Sequence, residues 1–369
     1  WKAACPPKII IKPHFLDHHQ IEFWKKIYFN GLGEFFYLNN IETNQNDFVD
    51  ILSVSDNKLS KSDILTDDSV IIPIGGGKDS VVTLELLKHS KKNNIPLIMN
   101  PRGASLNTSQ IGGYSRENII EINRTIHPQL LDLNKLGFLN GHTPFSALLA
   151  FVSILSAAIT SKKHIALSNE SSANESTVEN TNVNHQYSKS YAFENDFRKY
   201  VDTYVSSSFN YFSFLRPISE LQIGKLFSKN KKYFMDFKSC NAGSKQDIWC
   251  GNCPKCLFAF IILSPFIKRD KMIKIFGKDM LNDQNMLFYF EQLTGIEKVK
   301  PFECVGTVDE VNIAVNMLIR QLDNDDLPVL LKYYKTLNIY LQYENMELNS
   351  FLKEFNEEHF LNSDFEAIL

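Results

Sequence analysis

The sequence predicts an α/β fold, a parallel sheet with helices on both faces, flanked by a small N-terminal α+β domain and a helical C-terminus. Three observations predict it. From Ser69 onward, short apolar runs alternate with helix-like segments, as in strands joined by crossover helices. The glycine run Gly75-Gly76-Gly77 joins the first apolar run to the first helix. Several polar clusters fall directly after apolar runs, the end at which open parallel sheets bind ligands.

Residues 1–66 mix β-like runs (8–12, 34–38, 48–54) with an aromatic helix-like piece at 22–28, and end in the polar stretch 55–68. They read as a small α+β domain. Residues 67–308 read as one ATP-binding catalytic domain. In it the apolar run 69–74 (SVIIPI) is a strand, 81–89 a helix, 95–100 (IPLIMN) a strand, about 115–125 a helix and 164–169 (HIALSN) a third strand. The run 144–160 is too short, and too rich in Ser and Ala, to span a membrane; it reads as a helix buried on most sides. Residues 169–184, dense in Asn, Ser, Thr and Glu, read as a long loop or lid. Residues 309–369 read as amphipathic helix with an acidic tail.

Composition narrows the class. With 44% hydrophobic and 22% charged residues the chain has the make-up of a globular protein with a sizeable core. A formal net charge of −3 gives no drive toward nucleic acid, and the basic run 225–232 reads equally as a local patch or a solvated helix end. Six cysteines, four of them clustered, suggest a metal site in a reducing compartment, hence the cytoplasm. The chain begins at Trp1 rather than Met, which leaves any preceding segment open.

Strand, glycine turn and helix in that order form an anion cradle. Glycines turn the backbone tightly, successive N–H groups aim inward, and the helix N-terminus adds partial positive charge. Lys78 supplies a mobile cation for phosphates, Asp79 a helix cap or a Mg²⁺ ligand, and Ser80 completes the loop. A Walker A loop is excluded, because Ile72 stands where its first glycine belongs.

Cys240, Cys250, Cys253 and Cys256 have the spacing C-x9-C-x2-C-x2-C, which suits four thiolates around a structural Zn²⁺; the last two stand at the start of the helix-like run 257–263. An iron–sulfur cluster is the rival occupant. The clusters Asn140-Gly141-His142, Asn169-Glu170, 184–189 (NHQYSK) and Leu215-Arg216-Pro217 are too polar for a plain core. His142 reads equally as a cap for the helix that follows it. His185 and Lys189, four residues apart, would share one helix face and bind an anion. Arg216 suits bidentate binding of carboxylate or phosphate, or a surface ion pair. Cys304 lies outside the metal cluster and reads equally as a carbon base or a small buried residue.

The glycine run resembles the SGGxDS loop of the PP-loop ATP pyrophosphatases, adenine nucleotide alpha hydrolase-like enzymes that split ATP to AMP and pyrophosphate, with Gly75 in place of the usual Ser. Taken with NPRGAS, NGHTPFSA, SNESSANES, NHQYSKS, FSFLRPISEL, WCGNCPKCLFAF and KPFECVG, it is similar to the UDP-N-acetylmuramoyl-L-alanyl-L-glutamate epimerase family of bacterial peptidoglycan synthesis. The matching strings span about residues 70 to 306. Ser171 stands where that family is expected to carry Arg, so no role passes to that position. The resemblance implies a small-molecule UDP-muramoyl dipeptide substrate, ATP, Mg²⁺ and a structural zinc, with no nucleic-acid or membrane partner. It implies that adenylation of the glutamate α-carboxylate acidifies Cα, so that L-Glu becomes D-Glu by deprotonation on one face and reprotonation on the other.

For that chemistry Gly75, Gly76, Gly77, Lys78, Asp79 and Ser80 are the nucleotide-binding residues. Lys78, Asp79, His142, His185, Lys189 and Cys304 are the catalytic candidates, with Glu170 a further proton carrier. Arg102, Asn169, Glu170 and Arg216 are the substrate-binding candidates. Two other readings stay open at this point: a PP-loop nucleobase- or tRNA-modifying enzyme, and a nucleotide-binding regulatory module.

Overall fold

The chain, seen in a computed structural model, is described at residues 1–369 apart from 92, 179, 180, 182 and 347. A two-stranded parallel sheet pairs β1 (Lys8–Ile11) with β2 (Asp50–Ser53), and helices α1 (His18–Gly31) and α2 (Gly33–Leu38) lie between them in sequence. A capping box starts α1: Gln20 N–H donates to the Asp17 carboxylate and the Gln20 side chain accepts from Asp17 N–H. Residues 34–38, read as β-like, form helix α2 instead. Leu32, Phe35 and Phe36 are spaced i, i+3, i+4, and as a helix they bury together against Trp1 and Phe48.

The main sheet is built from β3 (Asp67–Pro73), helix α3 (Lys78–Leu87), β4 (Ile95–Met99), α4 (Gly103–Ile111), β5 (Ile120–Ile122), α5 (Pro128–Lys135), α6 (Phe145–Thr160), β6 (Lys162–Glu170), α7 (Tyr191–Tyr204), β7 (Asn210–Leu215) and α8 (Glu220–Ser228). Its order is β5-β4-β3-β6-β7 and every pairing is parallel. The three expected strands are therefore the middle of five. The expected helix at 115–125 is a 3₁₀ turn (Arg116–Asn118) followed by β5; the crossover helix comes earlier, at α4, where Ala104, Ser105 and Thr108 pack at helical spacing. At three residues, β5 is too short to show a period of two.

Alternate residues of the strands enter opposite cores. Val70, Ile72, Ile74, Ile98, Ala166, Phe212 and Phe214 face one side, with α3 and α8. Ile71, Leu97, Ile165, Leu167 and Tyr211 face the other, with α6, α7 and Ile27 of α1. Helix α6 is not buried on most sides. Its small residues Ala147, Ala150, Ser153 and Ala157 let it lie close to the sheet, while Leu155 and Ile159 stay exposed. The helix buried all round is α9 (Pro254–Leu263), every residue of which from Lys255 onward is buried. Helices α10 (Arg269–Phe276), α11 (Leu287–Thr294) and α12 (Val308–Gln321) enclose it, and α12 opens with a Thr307–Glu310 capping box. No helix among the described residues is long and apolar enough to cross a membrane.

From β3 the chain steps outward through β4 to β5, then returns to place β6 on the other side of β3. That reversal opens a crevice beyond the carboxyl ends of β3 and β6. The loop after β3 keeps it open because Gly76 has φ +88°, and a Cβ there would stand 2.7 Å from the Ala104 carbonyl carbon of α4. Gly113 also has a positive φ, +100°, but meets nothing within 4 Å. Gly113→Ala is expected to cost about 1 kcal/mol, the strain of φ > 0 alone. Gly76→Ala should cost that plus the overlap with α4, so its melting temperature should fall below that of Gly113→Ala in the same thermal-shift assay; equal melting temperatures would remove the close approach from this account.

Candidate active site and metal centre

A cavity of about 690 Å³ occupies the crevice. Gly75, Gly77, Asp79 and Ser80 line one part; Asn100 and Arg102, after β4, and Ser168, Asn169 and Glu170, ending β6, line another. Lys189, Lys238, Lys245, Lys255, Glu220 and Cys304 add charged and ionisable groups, and several Ser, Asn and Gln side chains add neutral polar ones. Ser168, in the cavity wall, has a buried Oγ with no hydrogen-bond partner among the described residues.

The glycine loop is internally braced. Gly76 N–H donates to Ser80 Oγ (3.1 Å), Ser80 Oγ–H donates to the Gly77 carbonyl (2.9 Å), and Lys238 N–H donates to the Gly76 carbonyl (2.8 Å). Gly77 is the N-cap of α3, so the first-turn amides of the helix face the crevice without intrahelical partners. Lys78 is not the mobile cation that the sequence suggested. Its ammonium is buried in ion pairs with Asp79 and Glu220, and those two carboxylates hold its pKa above the ordinary lysine range although burial opposes the charge. Burial, with Asp79 and Glu170 near, pushes Glu220 up to about 8 against the pull of Lys78. Asp79 is ion-paired inside α3 rather than capping it. The cations exposed to the cavity are instead Arg102, Lys189, Lys238, Lys245 and Lys255. Of these the sequence reading named only Arg102 and Lys189; Lys255, enclosed by Cys253 and Cys256, was hidden by the metal motif around it.

Lys189 and Cys304 meet at the cavity wall, Nζ to Sγ 2.9 Å. Lys189 ends a 3₁₀ turn (Tyr187–Lys189), and His185 precedes that turn, so the two share no helix face. Both act on the sulfur all the same: Lys189 by direct contact, and His185 as a neighbour whose charge and that of Cys304 favour each other. Burial alone would raise the Cys304 pKa, but Lys189, the neighbouring His185 and the charge of Lys255 bring it well below the ordinary thiol value. Burial disfavours charge on His185 too, yet Cys304 and Glu34 raise it to about 9. The cations around Cys304 thus favour its thiolate form. His142 is no helix cap, since Pro144 occupies that position before α6. It stands 4.4 Å, ring to ring, from His185, and burial with that neighbouring charge lowers it to about 4. His142 and His185 lie behind Cys304, outside the cavity lining that Cys304, Lys189 and Glu170 share.

Arg216 does not reach the cavity. It is fully buried, donating to the carbonyls of Glu170 (2.8 Å) and Lys189, to Ser213 Oγ (3.2 Å) and to the Glu194 carboxylate (3.2 Å). Residues 169–184 are less of a free lid than their composition suggests. Ser171–Asn174 form a 3₁₀ turn, Asn184 donates to the Ala173 carbonyl, and Val178 bridges Val299 in the segment before Cys304; residues 179, 180 and 182 of this stretch lie outside the described residues.

The four clustered cysteines converge. Their sulfurs all lie within 4.8 Å of one another, with Cys253–Cys256 at 3.4 Å, Cys250–Cys256 at 3.7 Å and Cys240–Cys253 at 3.8 Å. Metal–sulfur bonds of 2.3 Å around one tetrahedral ion put sulfurs about 3.8 Å apart. The set fits one ion, zinc being such a metal, and leaves no room for a multi-iron core. Cys253 caps α9 and takes the Cys256 N–H, while Gly243 N–H and Asn252 N–H donate to Cys240 and Cys250. Lys255, between two of these cysteines, donates to the Cys304 carbonyl.

The model of the MurL N-terminal domain matches residues 1–214 and that of the MurL C-terminal domain residues 228–347. Three relatives carry the name UDP-N-acetyl-alpha-D-muramoyl-L-alanyl-L-glutamate epimerase. One, from Xanthomonas oryzae pv. oryzae, is 30% identical over 365 residues, 94% of this chain and 78% of the relative. One from Micromonospora sp. is 32% identical over 89% of this chain and 74% of its own. One from Salinispora tropica is 35% identical over 70% of this chain and 57% of its own.

Three measurements check this geometry. Arg216→Met should lower stability by about 3–5 kcal/mol, because Glu194 is left buried without its cation; a thermal shift as small as that of an exposed Arg→Met control would contradict the packing role. Elemental analysis should find one tightly bound metal per chain, absent from Cys256→Ser. Iodoacetamide at pH 6.5 should alkylate Cys304 and spare Cys5, whose thiol burial pushes up; peptide mass spectrometry reads the two sites separately.

Proposed function

Because the chain belongs to the UDP-N-acetylmuramoyl-L-alanyl-L-glutamate epimerase family, we propose that it inverts the terminal L-Glu of UDP-MurNAc-L-Ala-L-Glu to D-Glu in peptidoglycan precursor synthesis, at the expense of ATP. One observation carries this reading: a single cavity joins a glycine-rich strand-to-helix loop to an ionised cysteine.

In this reading the loop Gly75–Ser80 is PP-loop-like and the amides at the start of α3 receive the phosphates of ATP. Asp79 is the residue placed to hold Mg²⁺ there. The substrate α-carboxylate attacks the α-phosphorus, pyrophosphate leaves, and the acyl-adenylate no longer carries the negative charge that made Cα a weak acid. Cys304 then exchanges the Cα proton on one face, Lys189 stabilising the thiolate form. Glu170 is the cavity-lining candidate for the opposite face. Hydrolysis of the acyl-adenylate then releases AMP and UDP-MurNAc-L-Ala-D-Glu, water supplying the oxygen of the restored carboxylate. Arg102, Lys238 and Lys245 supply the positive charge that the diphosphate and the side-chain carboxylate of the substrate require. Arg216 leaves the substrate-binding set, and Lys78 serves by anchoring α3 rather than by reaching for phosphate. The four-cysteine centre, with zinc, is closed by four protein ligands and so structural.

Incubation with UDP-MurNAc-L-Ala-L-Glu, ATP and Mg²⁺ in D₂O should give AMP, pyrophosphate and deuterium at the glutamate Cα. AMP without deuterium would sink the epimerase reading. Cys304→Ala should lower epimerisation by about 10³-fold or more, as loss of a proton-transfer group does, while the metal content stays at that of the unaltered chain.

A further inference from the structure

The cysteine is backed by residues from the other end of the chain. Glu34, on α2, is buried beside His185 and ion-paired to its Nδ1, and the same carboxylate oxygen lies 3.5 Å from His142 Nδ1. His185 in turn neighbours Cys304 and favours its charged form, beside Lys189, whose Nζ lies 2.9 Å from the sulfur. Lys2 donates to the carbonyls of Gly141 and His142, closing the outer side of the cluster. Tyr37 of α2 packs on Phe302, 5.7 Å between ring centroids, so α2 is also seated against the segment that carries Cys304.

We propose that Glu34 is a positioning residue for the cysteine: by fixing the orientation and charge of His185 it holds Cys304 as a thiolate aimed into the cavity, and so makes the N-terminal helices a working part of the active centre. The inference rests on the role given above to Cys304. The arrangement orders thiol, imidazole and carboxylate as nucleophilic triads do, where the carboxylate holds the ring in one orientation and stabilises its charged form. Here the sulfur is a carbon base, so the chain acts on its protonation rather than on its attack. The groups facing the sulfur are Lys189, His185 and Lys255, all cationic, and Glu303, whose carboxyl burial pushes up. Those facing His185 are Cys304, Glu34 and His142. His142 is the neutral member, as its depressed basicity beside a charged imidazole requires.

The test needs neither ATP nor muramoyl substrate, so its failure is separate from that of the epimerase reading. The rate of iodoacetamide alkylation at Cys304 is measured against pH in the metal-loaded full chain, for the unaltered protein, Glu34→Gln and Glu34→Asp. The inflection should move up by one pH unit or more in Glu34→Gln and return toward the original in Glu34→Asp. With substrate and ATP, Glu34→Gln should lower kcat by about 10²-fold or more while KM changes little, the pattern of a group that supports the chemical step. An unshifted alkylation profile in a Glu34→Gln protein of unchanged melting temperature would overturn the proposal. So would a second tightly bound metal per chain that Glu34→Gln removes, since the carboxylate and the two imidazoles would then serve an ion instead of the sulfur.

Discussion

A guanidinium with no access to water sets the shape of the cavity. Burying a cation costs several kcal/mol unless charge and hydrogen bonds replace its hydration. Arg216 meets most of that demand at its two terminal nitrogens, through the carbonyls of Glu170 and Lys189, the Ser213 hydroxyl and the Glu194 carboxylate, which also accepts from Ser213 N–H; its Nε has no partner among the described residues. The two carbonyls belong to cavity-lining residues from separate elements, the end of β6 and the 3₁₀ turn before α7. Move the arginine, and Lys189 loses its fixed distance to Cys304. The residue that reads in sequence as a substrate ligand is one layer further back, holding two cavity-lining residues in place.

The framework of β3, α3, β4 and β6 was legible because their apolar runs are continuous and the glycine turn announces where the first crossover begins. The four-cysteine cluster was legible for a local reason too: residues 240–256 supply the whole ligand set. What escaped was whatever depends on distant partners. Glu34 sits in a run of aromatics that looks extended until Leu32, Phe35 and Phe36 are seen to bury one helical face. Lys78 looks free in GGGKDS because Glu220, which captures it, lies far along the chain. His185 and Lys189, expected to share a helix face, do not, and what they have in common is Cys304 as a neighbour.

The ionised cluster around Cys304 has a property that its separate members lack. In the unfolded chain, between the ordinary values of 6.5 for imidazole and 9.0 for thiol, His185 is neutral and Cys304 carries the proton. In the folded chain the surroundings favour that proton on His185. The two shifts are opposite in direction, so they work against each other in the pH dependence of stability. The histidine contribution, present below its unfolded value and lost as pH rises through about 9, is offset by a thiolate contribution that grows over the same interval.

Lys255 joins two centres that otherwise look independent. It is held between two metal-binding cysteines at the first turn of a wholly buried helix, and its ammonium grips the main chain of Cys304. A pairing of that kind is a thermodynamic linkage. Whatever factor the ion contributes to the affinity of the cavity for its ligand, the ligand must return to the affinity for the ion. An ion held by the four cysteines would lie one side chain away from the backbone of Cys304, with Lys255 as the direct contact between the two.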